Sequence, residues 1–155
     1  MHRPTCHLAF SLIELVLVMT IISTLAAIAV PRYADALARY RADAAAQRVI
    51  TDLDYARQLA QSTSISVCVR INANNEQLRL IDIPDPDDPG SLHTTTELWS
   101  RPDYAQVNTS DFGGDNKIIF DGFGDPDSGG EATISVGSQM RTIALDVDTG
   151  KAVVQ

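Results

Sequence analysis

One carboxylate stands inside a long apolar run near the start of this chain. The run AFSLIELVLVMTIISTLAAIAV covers residues 9–30, and Glu14 is its only charged residue. A lone carboxylate in hydrocarbon costs several kcal/mol unless a positive charge neutralises it. A cut between Ala9 and Phe10 would create an α-amino group on Phe10, which is cationic at neutral pH. Glu14 is then predicted to pair with that amine, in its own helix or in a neighbouring chain.

The apolar run is long enough to span a membrane as a helix. It has no charged residue from Leu15 to Val30, and residues 10–13 extend it to the ~20 residues that cross hydrocarbon about 30 Å thick. Ser23 and Thr24 can hydrogen-bond to helical carbonyls, so they are compatible with this position.

Two other interpretations of the run stay open at this point. Ala27 and Ala29 form an A-x-A pattern typical of a signal-peptide cleavage site, which would make Val30 the first residue of a secreted, soluble protein. A simple N-terminal anchor is the second alternative, but it gives Glu14 no role.

Residues for catalysis or metal binding are few. His93 is the only histidine after the apolar run, and neither Cys68 nor a serine stands beside it in a nucleophile motif. The stretches DIPDPDDPG and DGFGDPDSGG are rich in aspartate, but they lack the spacing of an EF-hand loop and are interpreted as acidic surface turns. The sequence therefore predicts no enzyme, no cofactor and no metal site.

Charge argues against a nucleic-acid partner. The 155 residues carry 20 Asp and Glu against 12 Lys and Arg, for a net charge of −8 and a pI near 4.6. Because an acidic surface repels phosphate backbones, no nucleic acid is expected to bind.

The apolar run continues as an amphipathic helix over residues 31–61. Apolar side chains recur there at spacings of three and four, which favours a helix laid against a sheet. Pro31 lacks an N–H, so we expect a bend there. The members of the predicted apolar stripe are Tyr33, Leu37, Tyr40, Ala44, Ala46, Val49, Ile50, Leu53, Ala56 and Ala60.

Residues 62–155 read as a sheet. SISVCVRI alternates apolar and polar side chains, and EQLRLIDI follows it after a turn. KIIFD, ATISV, RTIALDV and KAVV come later, whereas residues 84–96 read as a long polar loop. We predict an α+β fold, in which a long N-terminal helix packs on an antiparallel sheet of about six or seven strands.

The N-terminal residues resemble a known signature. A short polar leader followed by AFSLIELVLVMTIISTLAAIAVPRY is similar to the start of type IV pilins and type II secretion pseudopilins. In that family a prepilin peptidase cuts before a Phe and N-methylates it. The resemblance implies cleavage between Ala9 and Phe10, methylation of Phe10, a role for Glu14 in subunit assembly and a helix-softening proline at Pro31. Ala9 stands where the family usually has Gly.

The C-terminal residues resemble the GspH/FimT group of minor pilins and pseudopilins, which have a pilin-like fold. The similar stretches are IIFDGFGDPDSGGEATISVG and RTIALDVDTGKAVV. Together the resemblances imply a leader (1–9), a transmembrane helix (10–30), its amphipathic continuation (31–61) and a β-rich domain (62–155). A DNA-uptake minor pilin is an alternative within this group.

The resemblance also implies partners and a location. The partners are the prepilin peptidase, other subunits, an inner-membrane assembly platform and membrane lipid. The chain would cross the inner membrane once, with its β-rich domain on the periplasmic side, and then enter a pilus or pseudopilus. Arg32, Arg39 and Arg41 follow the apolar run and only Arg3 precedes it, so the positive-inside rule alone would favour the opposite orientation.

Overall fold

A computed structural model describes residues 11–73, 77–81, 83, 90, 93–98 and 105–155. Within these residues the chain forms one helix and eight strands. They are α1 (Leu12–Thr63), β1 (Val67–Asn72), β2 (Gln77–Ile81), β3 (His93–Glu97), β4 (Gln106–Phe112), β5 (Lys117–Phe120), β6 (Gly130–Val136), β7 (Gln139–Leu145) and β8 (Ala152–Val154).

Helix α1 is continuous over 52 residues, and Pro31 lies within it. The bend predicted at Pro31 stays a prediction. The helix ends where Ser64 adopts a φ of 55°, in the left-handed region that terminates many helices. The hydroxyls of Ser62 and Thr63 donate to the carbonyl of Leu59, at 3.1 and 2.7 Å, and so satisfy one carbonyl of the last turn.

The chain divides into two units, with the boundary between Leu37 and Ala38. The first unit contributes the start of α1. The second holds the rest of α1, all eight strands and one hydrophobic core, whose members run from Ala42 to Ala152.

The strands form two antiparallel sheets of four. Sheet I has the order β3-β2-β1-β5, and sheet II has the order β4-β6-β7-β8. The predicted α+β class, a helix on antiparallel strands, is confirmed and fits a pilin-like fold. The prediction of a single sheet of six or seven strands was wrong, because the strands divide between two sheets. The strand number was also too low, because β3 and β4 were not recognised in the sequence.

Both unrecognised strands lack a regular alternation of apolar and polar residues. Strand β3, HTTTE, lies at the edge of sheet I within the segment predicted as a loop, where threonines replace larger apolar side chains. Strand β4 buries Val107 and Phe112, which are an odd number of residues apart. A bulge at Asn108 lets both side chains point to the core. The pairing passes from Val107 opposite Ile134 to Thr109 opposite Thr133, so Asn108 is an extra residue in β4.

The packed part of α1 contacts the sheets through small residues. Its buried positions are Ala42, Ala45, Ala46, Val49, Ile50, Leu53, Ala56 and Ala60. Five of these positions are alanine, and Val49, Ile50 and Leu53 contribute the larger side chains to the core. The predicted stripe is confirmed from Ala46 onward. It was wrong at Tyr33 and Tyr40, which are exposed because the buried face begins at Ala42.

Candidate functional site

The apolar part of α1 presents large side chains to its surroundings. Every large apolar residue from Leu12 to Val30 is at least 42% exposed, and Leu12 reaches 80%. An 18-residue window of this helix has a mean hydropathy of 2.4 and no buried residue. By length and composition it can cross a membrane, although a signal sequence would meet the same test.

The hydroxyl groups of this segment are satisfied within the helix. Thr20 donates to the carbonyl of Leu17 at 2.7 Å, and Ser23 donates to that of Met19 at 2.7 Å. Thr24 likewise donates to the carbonyl of Ile21, at 2.8 Å. The predicted back-bonding of Ser23 and Thr24 is therefore confirmed, and Glu14 is left as the one charged side chain between Leu12 and Val30.

Glu14 lies in the first turn of α1, where the carbonyl of Ser11 accepts from the amides of Glu14 and Leu15 at 3.1 and 3.2 Å. An acidic side chain in the first turn is favoured by the helix dipole. The residue is exposed, and its carboxylate forms no ion pair with any residue that the structure describes. Ala9 and Phe10 lie outside the described residues, so cleavage, methylation and the ion pair with the Phe10 amine stay predictions.

The second aspartate-rich stretch forms turns held by its own backbone. Oδ1 of Asp121 accepts from the amides of Phe123 and Asp125, both at 2.9 Å, and Oδ1 of Asp127 accepts from the amide of Ile119 at 2.9 Å. No group of three potential metal ligands occurs among the described residues. The four aspartates of the first stretch, Asp82, Asp85, Asp87 and Asp88, lie outside them.

This turn also contacts the end of α1, a contact that the sequence did not reveal. The side-chain amide of Gln61 donates to the carbonyl of Phe123 at 2.9 Å, and Nε of Arg57 donates to the carbonyl of Gly124 at 3.3 Å. Gly124 has a φ of 86°, and an added Cβ would lie 2.5 Å from Nε2 of Gln61. The F-D-x-x-G motif is thus explained by packing of the loop against the helix.

The strand register separates the two residues considered for nucleophilic chemistry. Cys68 and His93 both pair with Ile81, from opposite sides, so their backbones are two strands apart. That separation is about 9–10 Å, because neighbouring strands lie about 4.7–4.9 Å apart. Burial raises the pKa of the Cys68 thiol and so disfavours its reactive thiolate form.

These features define a class of protein in which an apolar N-terminal helix, able to anchor in a membrane, continues into an α+β body. The chain matches the family model for type II transport protein GspH over residues 45–150, and it belongs to this family. The matched range covers most of the packed part of α1 and strands β1 to β7, and it ends just before β8. Comparisons with curated proteins and with solved structures gave no match. Family membership supports a type II secretion pseudopilin role in general, in a family of structural subunits.

Proposed function

We propose that this chain is a structural, non-enzymatic subunit of a type II secretion pseudopilus, made as a precursor and processed by a prepilin peptidase. The peptidase removes residues 1–9 and methylates the new terminus at Phe10. The chain then enters a growing filament as a minor subunit. Membership of the GspH family supports the secretion pseudopilus over a type IV pilus.

The observation that carries this proposal is the combination found in α1. An exposed apolar segment holds one carboxylate, Glu14, in its first turn, and the same helix continues into the GspH region. In hydrocarbon, Glu14 needs a cation, and the Phe10 amine is the one that processing would supply. Removing one partner of a buried ion pair costs about 3–5 kcal/mol, so an amine on a neighbouring subunit would strongly favour assembly.

The same proposal assigns partners and a location. The apolar segment holds the precursor in the inner membrane, in contact with lipid, and the body lies on the periplasmic side. The prepilin peptidase, the inner-membrane assembly platform and other subunits are the partners, and filament assembly moves the segment from lipid into contact with other helices.

The mature N-terminus tests the proposal most directly. The full precursor would be co-expressed with a prepilin peptidase, and the purified product analysed by intact and peptide mass spectrometry. We expect a chain that begins at Phe10 and carries one N-methyl group. A chain that begins at Val30 would instead establish a cleaved signal peptide, and an uncleaved chain would establish a simple anchor.

Substitution of Glu14 tests its role in assembly. Glu14→Gln keeps the shape of the side chain and removes its charge, so membrane insertion should be unchanged while incorporation into filaments falls about a hundredfold or more. Glu131→Gln, at an exposed position in β6, removes the same charge and should assemble normally. Normal incorporation of Glu14→Gln would contradict the proposed ion pair.

A further inference from the structure

A row of basic residues crosses the outer face of sheet I. In the antiparallel register Lys117 on β5 pairs with Arg70 on β1, and Arg70 pairs with Arg79 on β2. Directly paired residues point to the same face, and Val69 and Ile71 beside Arg70 point to the core. The row therefore lies on the face of sheet I that is turned away from the core.

This concentration of positive charge is unusual for such an acidic chain. From residue 62 to residue 155 the sequence has 15 Asp and Glu but only six Lys and Arg. Three of those six cations, Lys117, Arg70 and Arg79, stand side by side in one row. Like charges directly opposite each other on paired strands destabilise a sheet, so a negatively charged partner would stabilise this arrangement.

Within the part of the chain that the structure describes, this compensation is only partial, because Asp115 attracts Lys117 and Arg70 but not Arg79. Lys117 forms an ion pair with Asp115 at 3.3 Å. Among the described residues no carboxylate forms an ion pair with Arg70 or Arg79, and Nε of Arg79 is buried without a hydrogen-bond acceptor. A buried donor without an acceptor is unfavourable, because it has lost its hydrogen bonds to water and gained none in return. Both side chains line a cavity of about 300 Å³, together with Asn72 and Ile81.

We propose that this cavity, the Arg70–Arg79 pocket, binds a carboxylate presented by an acidic surface segment of another subunit. Guanidinium groups present paired N–H donors that match a carboxylate, and a bound carboxylate would satisfy Nε of Arg79 and relieve the repulsion between the arginines. A nucleic acid fits less well, because two arginines engage few phosphates and the net charge of −8 repels the remainder. The inference rests on the proposed function for the identity of the partner as a neighbouring subunit.

Binding of a short acidic peptide to the full chain tests the pocket. The chain would be purified in a nonionic detergent at low ionic strength, and fluorescence anisotropy would report binding of a labelled tetraglutamate peptide with blocked termini. We expect the peptide to bind, a tetraglutamine peptide of the same length not to bind, and Arg79→Gln to weaken binding by about tenfold or more. Arg79→Lys keeps the charge but loses the paired donors, so its affinity for the tetraglutamate peptide should lie between those of the wild type and Arg79→Gln.

Arg39→Gln is the matched control, because it removes the same charge from an exposed position on α1 and should bind the peptide as the wild type does. Unfolding curves would check that each variant is folded. Equal binding by Arg79→Gln and the wild type, or no binding by the wild type, would overturn the inference. Tighter binding of inorganic phosphate or of a single-stranded oligonucleotide would overturn it in favour of a phosphate ligand.

The outcome is independent of the test of the proposed function. Peptide binding in detergent needs neither processing nor a filament. A correct Phe10 terminus without peptide binding would therefore refute the pocket alone, whereas peptide binding by a chain that begins at Val30 would refute the pseudopilin proposal alone.

Discussion

The two parts of helix α1 use apolar residues in opposite ways. From Leu12 to Val30 apolar side chains predominate around the helix, with Glu14 as the one charged residue, and each large apolar one is at least 42% exposed. From Ala42 to Ala60 the apolar residues occupy one face, five of the eight buried positions are alanine, and that face joins the core. The apolar surface of the first part is thus uncovered within the described residues, whereas the apolar face of the second part is buried against its own strands.

The size of the side chains explains the difference. The buried face of the second part begins with the small side chains of Ala42, Ala45 and Ala46 and continues with larger ones such as Leu53, all of which fit into one core. The core side of the second part is therefore specific for these particular strands. The first part has no comparable partner within the described residues, and its exposed leucines and isoleucines suit any apolar surrounding.

The largest expected effect comes from comparing the substitution of one leucine in each part of α1. Leu53 is 1% exposed in the packed part, and Leu25 is 63% exposed in the apolar part. Leu53→Ala should lower the free energy of unfolding by about 2–5 kcal/mol, because it leaves a cavity in the core. Leu25→Ala should leave it within about 0.5 kcal/mol of the wild type.

Urea unfolding of both variants in the same detergent, followed by near-ultraviolet circular dichroism, measures this difference. Equal losses of stability for the two variants would show that the apolar part is packed inside the same cooperative unit, and the comparison would then be broken.

The next effect concerns the turn that contacts the end of the packed part. Gly124 and Gly137 both have positive φ, at 86° and 59°, but an added Cβ at Gly137 meets no atom within 4 Å. Alanine in the left-handed region costs about 1–2 kcal/mol at either site. Gly124→Ala also displaces Gln61 and its hydrogen bond to Phe123, so it should cost about 1 kcal/mol more than Gly137→Ala.

Thermal unfolding of the two glycine variants side by side tests this expectation. If Gly137→Ala were as destabilising as Gly124→Ala, the contact between the turn and α1 would contribute nothing measurable, and only the backbone conformation would matter.

The sequence predicted the parts of the fold that follow a simple period. The apolar run, the helical stripe from Ala46 onward and the strands around Val69, Leu80 and Ile143 all repeat with the spacing of one element. The bulge at Asn108 and the polar edge strand β3 follow no such period, so they were missed.

The candidate sites divide in the same way. Glu14 is conspicuous in the sequence because no other charge stands near it in the apolar run. The Arg70–Arg79 pocket is not conspicuous in the sequence, because it depends on the register of β1 with β2. Lys117 lies beside Arg70 only through the pairing of β1 with β5, whose residues are far apart in the chain. An outward arginine on an alternating strand was the only local signal.

A smaller effect is expected from the ion pair between the packed part of α1 and sheet II. Nε of Arg141 on β7 lies 2.5 Å from Oδ1 of Asp43, and the side chain of Asp43 is 61% exposed. Exposed ion pairs contribute about 0–1 kcal/mol. A double-mutant cycle with Arg141→Gln and Asp43→Asn should therefore give a coupling free energy below about 1 kcal/mol, which decreases as salt is added. A larger coupling that salt does not change would contradict this assignment.

The smallest effect concerns Asp52, a half-buried carboxylate in the packed part of α1. Burial raises the pKa of Asp52, although the Thr96 hydroxyl and Arg48 act in the opposite direction, and Oδ2 of Asp52 is buried without a hydrogen-bond partner. Because the folded state holds this proton more tightly than the unfolded chain, stability should fall as the pH rises from the ordinary Asp pKa of about 3.9 through the raised folded value.

Asp52→Asn should remove that dependence and stabilise the protein at pH 7 by a few tenths of a kcal/mol, since the site is partly screened by solvent. Asp54→Asn, two residues further along α1, should leave the pH dependence in place. Urea unfolding of the wild type and both variants from pH 3.5 to pH 7 measures these effects. If the stability of the wild type rose with pH and Asp52→Asn abolished that rise, folding would favour the ionised form of Asp52, contrary to this expectation. The ionised form of Glu14, by contrast, is proposed to be favoured only by a partner chain.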